Sequence, residues 1–119
     1  MGAAAKVPAP IGVAGDVYLI HLERGLVPSH GSTHYIGWAA EGGLYDRIEA
    51  HAAGAGSPML RAANDRGIAW TVVRIWRGAD RHFERKLKRR RKAKHLCPVC
   101  RGEIEFDRTR FGEAEVTSC

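Results

Sequence analysis

The sequence predicts an α+β fold: a small three-stranded sheet, mixed or antiparallel, flanked by helices and followed by a C-terminal CxxC tail. Residues 16–22 and 33–38 are rich in the β-formers Val, Tyr, Leu, Ile, Thr and Trp, so both read as strands. Ile68-Ala69-Trp70-Thr71-Val72-Val73-Arg74-Ile75-Trp76 is the strongest β run of the chain. Around these runs, stretches 43–52, 57–66 and 79–93 place apolar residues at helical spacing. The order strand, strand, helix, helix, strand, helix gives an α+β sandwich.

Residues 1–15 hold mainly Ala, Pro, Gly and Val, and read as a mobile tail ahead of a domain at 16–94; residues 95–119 form a cysteine-bearing tail. The first strand alternates Asp16, Tyr18, Ile20 and Leu22 with Val17, Leu19 and His21, one set on each face. In the second, Tyr35 and Gly37 share a face opposite His34, Ile36 and Trp38. Antiparallel pairing would bring Tyr18 and Tyr35 together on one face, and Gly37, with no Cβ, would admit a phosphate backbone or a neighbouring helix. Gly25, Pro28, Ser29, Gly31 and Ser32 supply turn chemistry between the two strands.

Helix 43–52 has Leu44, Tyr45 and Ile48 as its apolar positions, with Arg47 and His51 four apart on a flanking face. Gly54 and Gly56 break it, and Ser57-Pro58 starts the next helix with a capping hydroxyl and a proline at the first position. The last helix, 79–93, is anchored by Phe83 and Leu87 and is basic through its C-terminal half. Within the tail, Glu103-Ile104-Glu105-Phe106 is strand-like.

A length of 119 residues allows one domain with a modest core. No apolar run approaches the ~18–20 residues a membrane-spanning helix needs, and Met1-Gly2-Ala3-Ala4-Ala5-Lys6 carries neither a signal-peptide core nor a myristoylation motif. The expectation is a cytoplasmic protein without a membrane partner. The formal charge of +6 is unevenly spread: residues 61–96 hold 13 Lys or Arg against three acidic residues, a local net of +10. That density calls for a polyanion, and the absence of an inserting apolar face over 85–94 favours nucleic acid over lipid headgroups. Arg85, Lys86, Lys88, Arg89, Arg90, Arg91, Lys92 and Lys94 are the expected DNA-contacting residues, tracking phosphates without reading bases.

Val17-Tyr18, Tyr35-Ile36-Gly37, Arg47, His51 and Glu84 resemble, in order and separation, the paired tripeptides, helix arginine, histidine and metal-binding glutamate of the GIY-YIG nuclease family. The resemblance covers residues 16–90, with Asp16 where the first tripeptide has glycine and Trp38 where relatives often carry a polar or basic residue. It implies a metal-dependent endonuclease that hydrolyses DNA phosphodiester bonds in a duplex or branched substrate, with Mg²⁺ or Mn²⁺ on Glu84. Arg47 would contact the scissile phosphate, Tyr18 and Tyr35 would order or deprotonate the attacking water, and His51 would share a proton or hold a phosphate. These roles suit the residue types. Mg²⁺ takes one or two carboxylates, the guanidinium fork matches phosphate, and a phenol becomes a base only where neighbouring charge lowers its pKa. Each residue also has a plainer reading: Glu84 as a surface partner of Lys88 four residues on, Arg47 as a solvated helix arginine, the tyrosines as strand-edge residues, His51 as an idle surface histidine. The alternative function is a non-catalytic nucleic-acid-binding adaptor that uses the basic helix and a zinc knuckle. A basic face that reads backbone points to low intrinsic specificity or to a partner protein.

Cys97, Cys100 and Cys119 are odd in number and lie near the C-terminus, which argues against a disulfide framework. Cys97-Pro98-Val99-Cys100 is half of a zinc knuckle, with Cys119 as third ligand and His95 as fourth of a structural Zn²⁺ site; free thiols are the plain alternative.

Overall fold

A computed structural model describes residues 13–27, 31–106 and 111–113. Strands β1 (Gly15–Leu22), β2 (His34–Ala40) and β3 (Trp70–Ala79) form the expected antiparallel sheet. β1 lies in the middle, antiparallel to β2 on one side and to β3 on the other. A fourth short strand, β4 (Phe111–Glu113), joins the free edge of β3 in parallel, giving the order β2-β1-β3-β4. The tail strand therefore lies at 111–113 and not at Glu103–Phe106, where the backbone bends without pairing. Pro28 and Ser29 of the turn lie outside the described residues, as does the tail before residue 13.

Each face of the sheet is covered. Helices α1 (Leu44–Ala52) and α2 (Pro58–Asp65) pack on the face made by Tyr18, Ile20, Leu22, Trp70 and Val72, contributing Leu44, Ile48, Leu60 and Ala63. The other face, Val17, Leu19, Ile36 and Val73, is covered by Phe83 and Leu87 of α3 (Arg81–Arg90) and by Leu96, Cys97 and Val99 at and after α4 (Ala93–Leu96). The alternation predicted for β1 holds: Tyr18, Ile20 and Leu22 pack on one face and Val17 and Leu19 on the other, because successive side chains of a strand point to opposite faces. In β3 the alternation slips: Leu19 pairs with Arg74 and Ile20 with Val72, so Val73 is an extra residue and Ile75 returns to the first face.

Local chemistry sets the helix ends. Ser57 Oγ accepts from the Met59 N–H at 3.1 Å with Pro58 at the first helical position, the predicted cap. Asp80 Oδ1 does the same for the Phe83 N–H at 2.9 Å at the start of α3. α3 stops at Arg90 rather than 93, because Arg91 adopts a left-handed conformation (φ 52) that turns the chain into α4. α1 buries Leu44, Ile48 and His51, while Tyr45, expected on its apolar stripe, is 71% exposed.

Candidate active-site cleft and metal centre

Tyr18, Tyr35 and His51 meet as three mutually packed rings, with centroids 6.3 Å (Tyr18–Tyr35), 5.9 Å (Tyr18–His51) and 5.4 Å (Tyr35–His51) apart. The strand register accounts for the tyrosines. Tyr18 lies opposite Gly37 and Ile20 opposite Tyr35, so the two phenols are diagonal neighbours on one face. A Cβ on Gly37 would overlap Cζ and Oη of Tyr18. The glycine thus admits the phenol of the neighbouring strand, not a phosphate or a helix. At the start of β1 the close approach is at Gly15, whose Cβ would overlap the Ala39 carbonyl oxygen; Asp16 is buried beside it and pairs with Arg77 at 3.3 Å.

His51 is fully buried rather than at the surface. The backbone N–H of Ser57 donates to its Nδ1 at 3.1 Å, so the neutral ring carries its proton on Nε2 and donates it to Tyr18 Oη at 2.7 Å. Burial, with the charge of Arg47 adding to it, lowers the His51 pKa to about 4 and keeps the ring neutral near pH 7. Gly56 packs so closely on the imidazole that a Cβ there would overlap Nδ1. Asn64 completes the surround: its Nδ2 donates to the His51 carbonyl at 2.9 Å and its Oδ1 accepts from Trp70 Nε1 at 2.8 Å. Tyr18 is also fully buried, and burial raises its phenol pKa well above the ordinary value. Tyr35 adds to that rise and Arg47 opposes it.

Tyr35, Arg47 and Glu84 line one cleft of about 580 Å³, together with Trp38, Asp46 and Arg81. The cleft runs along β2, the edge strand, with α1 and α3 contributing its other walls. Arg47 is exposed on α1, and Glu84 projects from the first turn of α3 with its side chain only 11% exposed. Lys88 Nζ lies 3.1 Å from Glu84 Oε2, so the i,i+4 pair forms, but on a carboxylate that is largely buried. Trp38 spans the strands, donating Nε1–H to the Ala79 carbonyl at 3.0 Å, with the Arg81 guanidinium 5.7 Å from its ring.

No family model, curated protein or solved structure matches this chain. The residues themselves therefore carry the functional argument. Arg85, Lys86, Lys88, Arg89, Arg90, Arg91, Lys92 and Lys94 are all exposed. Lys88, Arg91 and Lys94 also border a second cleft of about 600 Å³, lined by Tyr35, Ile36 and Leu87.

Cys97 and Cys100 come together as the CxxC spacing predicts, and among the described residues the side chains that join them are two histidines other than His95. His95 is exposed on α4, and Cys119 lies outside the described residues. The two sulfurs instead meet His21 of β1 and His34 of β2, and the four potential ligand atoms all lie within 4.8 Å of one another. This group could hold a metal ion. Both cysteines are unpaired thiols; burial raises the Cys97 pKa to about 11 and lowers that of His34 to about 4. In the sequence the histidines are visible only as strand residues. The signal that finds them is the register, which sets His21 directly opposite His34.

Proposed function

We propose that the chain is a metal-dependent endonuclease that hydrolyses DNA phosphodiester bonds by GIY-YIG-type chemistry. The observation that carries the reading is the convergence of Tyr35, Arg47 and Glu84 on one cleft, with the buried Tyr18–His51 hydrogen bond behind it. Five residues from two strands and two helices meet at one place, although they span positions 18 to 84 of the chain.

Arg47 is placed to grip the phosphate and to offset charge developing on its oxygens. Tyr35, at the cleft wall, orders the attacking water. His51, held as the Nε2–H tautomer, donates to Tyr18 and supports partial negative charge on that phenol oxygen, which leaves the phenolic proton available to other groups. The donor set fits Mg²⁺ or Mn²⁺: two carboxylates, Glu84 and Asp46, line the cleft, and such ions keep several waters and take one or two protein carboxylates. The Lys88 partner of Glu84 is half exposed on a flexible stem, so solvent can take over that ammonium when a divalent ion binds. When bound, the ion supplies Lewis-acid stabilisation of phosphate charge. Supercoiled plasmid incubated with Mg²⁺ or Mn²⁺ tests the proposal. Glu84→Ala and Arg47→Ala should each lower cleavage by at least ~10²-fold while gel-shift binding persists. A wild type that binds plasmid and branched DNA yet cuts neither would refute it.

One observation favours the adaptor reading. The second cleft, with Lys88, Arg91 and Lys94 over an apolar floor, can take a polyanion without Glu84. On that reading Glu84→Ala changes neither cleavage nor binding.

A further inference from the structure

We infer that His21, His34, Cys97 and Cys100 form a closed, tetrahedral Zn²⁺ site that clamps the segment after α4 onto the β1–β2 ribbon. The inference stands apart from the catalytic reading and rests on geometry. His21 Nδ1 lies 3.3 Å from His34 Nε2, 3.4 Å from Cys97 Sγ and 3.7 Å from Cys100 Sγ, and Cys100 Sγ lies 3.4 Å from His34 Nε2. A tetrahedron built on Zn–S of ~2.3 Å and Zn–N of ~2.05 Å has N···N edges of about 3.3 Å and S···N edges of about 3.6 Å. These four edges match those of a shell around a single ion, and the remaining two lie within 4.8 Å.

Donor chemistry agrees with the geometry. Two thiolates and two neutral imidazoles make a soft N/S set preferred by zinc over Mg²⁺ or Ca²⁺. Binding releases the two thiol protons and leaves a site of zero net charge, which tolerates burial. Four protein ligands leave no open position, so the ion is structural rather than catalytic.

The site ties together parts of the chain that share few other constraints. The histidines belong to two paired strands, whereas the cysteines sit on a turn in which the Arg101 N–H donates to the Cys97 carbonyl at 3.0 Å. Around it, the Phe106 ring packs 5.0 Å from His21, and Arg74 Nη1 donates to the Leu96 carbonyl at 3.2 Å. Little regular structure holds residues 97–106, and a metal cross-link to the sheet explains how so short a segment keeps its place.

Full-length protein purified under reducing conditions should contain about one zinc per chain by elemental analysis. Cys100→Ser and His34→Ala should lose most of it, whereas His95→Ala and Cys119→Ser should keep it. Co²⁺ exchanged into the wild type should show the d–d bands of a tetrahedral ion together with sulfur-to-cobalt charge transfer, an assay that does not depend on a variant folding. Zinc removal by a chelator should abolish amide-exchange protection over 93–106 and leave that of β1 in place. Wild type free of zinc, octahedral cobalt bands, or zinc lost through His95→Ala or Cys119→Ser but kept in His34→Ala would each overturn the assignment. Unchanged protection over 93–106 after zinc removal would overturn the clamp.

Discussion

Replacing Tyr18 by phenylalanine removes a single oxygen and strands a donor in the core. Ser57 N–H occupies His51 Nδ1, so the imidazole cannot turn its Nε2–H elsewhere without breaking a second hydrogen bond. Both side chains are fully buried, so water does not replace the lost acceptor. An unsatisfied buried donor costs ~1–3 kcal/mol, and at this chain length 1 kcal/mol corresponds to about 4 °C, so the melting temperature should fall by ~4–12 °C. The pairwise contribution is isolated by a double-mutant cycle with His51→Leu, read by urea unfolding. His51→Leu also removes the acceptor for Ser57 N–H, but that loss occurs in both Tyr18 backgrounds and cancels. The expected coupling is ~1–2 kcal/mol, with the double variant more stable than the two single losses predict. Additivity within ~0.5 kcal/mol would show that the 2.7 Å contact contributes nothing beyond packing, and would refute the tautomer argument with it.

Other consequences are equally open to measurement. Gly37→Ala should destabilise by ~1–3 kcal/mol through overlap with the Tyr18 phenol, seen in urea midpoints and in the near-ultraviolet dichroism of the tyrosines. His51, with a folded pKa of about 4 against an ordinary 6.5, binds its proton more readily in the unfolded chain. Its contribution is therefore complete above pH ~6.5 and declines as pH falls towards 4, by on the order of 3 kcal/mol. The difference between wild type and His51→Gln in melting temperature should shrink over that window; a pH-independent difference would contradict the burial. Lys88→Ala should destabilise by ~1–2 kcal/mol, more than loss of a fully exposed pair does, because it leaves the largely buried Glu84 carboxylate without its partner, and urea unfolding checks it.

The fold was legible where local chemistry dominates. β-branched and aromatic runs marked three strands, and Ser57-Pro58 marked a helix start, because these signals act within a few residues. Signals failed where tertiary packing overrides them. Tyr45 has the spacing of a core residue, but the first-turn position facing the sheet belongs to Leu44, and polar His51 takes the third buried place because Ser57 and Tyr18 satisfy its two nitrogens. Similarly, Glu103–Phe106 has strand-like residues but does not pair, and the place beside β3 is taken by β4.

The two sites differ in legibility for a related reason. The catalytic candidates stand out in the chain because a tyrosine, a glycine and an arginine at set separations form a pattern, and the structure adds only where they meet. The cluster of histidines and cysteines has no such pattern on its histidine side. His21 and His34 are 13 residues apart and more than 60 from the cysteines, so no spacing rule joins them to Cys97. Only the β1–β2 register makes them a pair, and only the turn after α4 brings the thiols to them. His95 is the more obvious candidate because it is two residues from Cys97, yet it is exposed on α4 while its neighbour Leu96 packs into the core, and it is not among the side chains gathered at the sulfurs. Proximity in sequence is thus a poor guide to which donors converge: the four gathered side chains come from elements distant in the chain, and an ion held by such a set would stabilise the fold by cross-linking them.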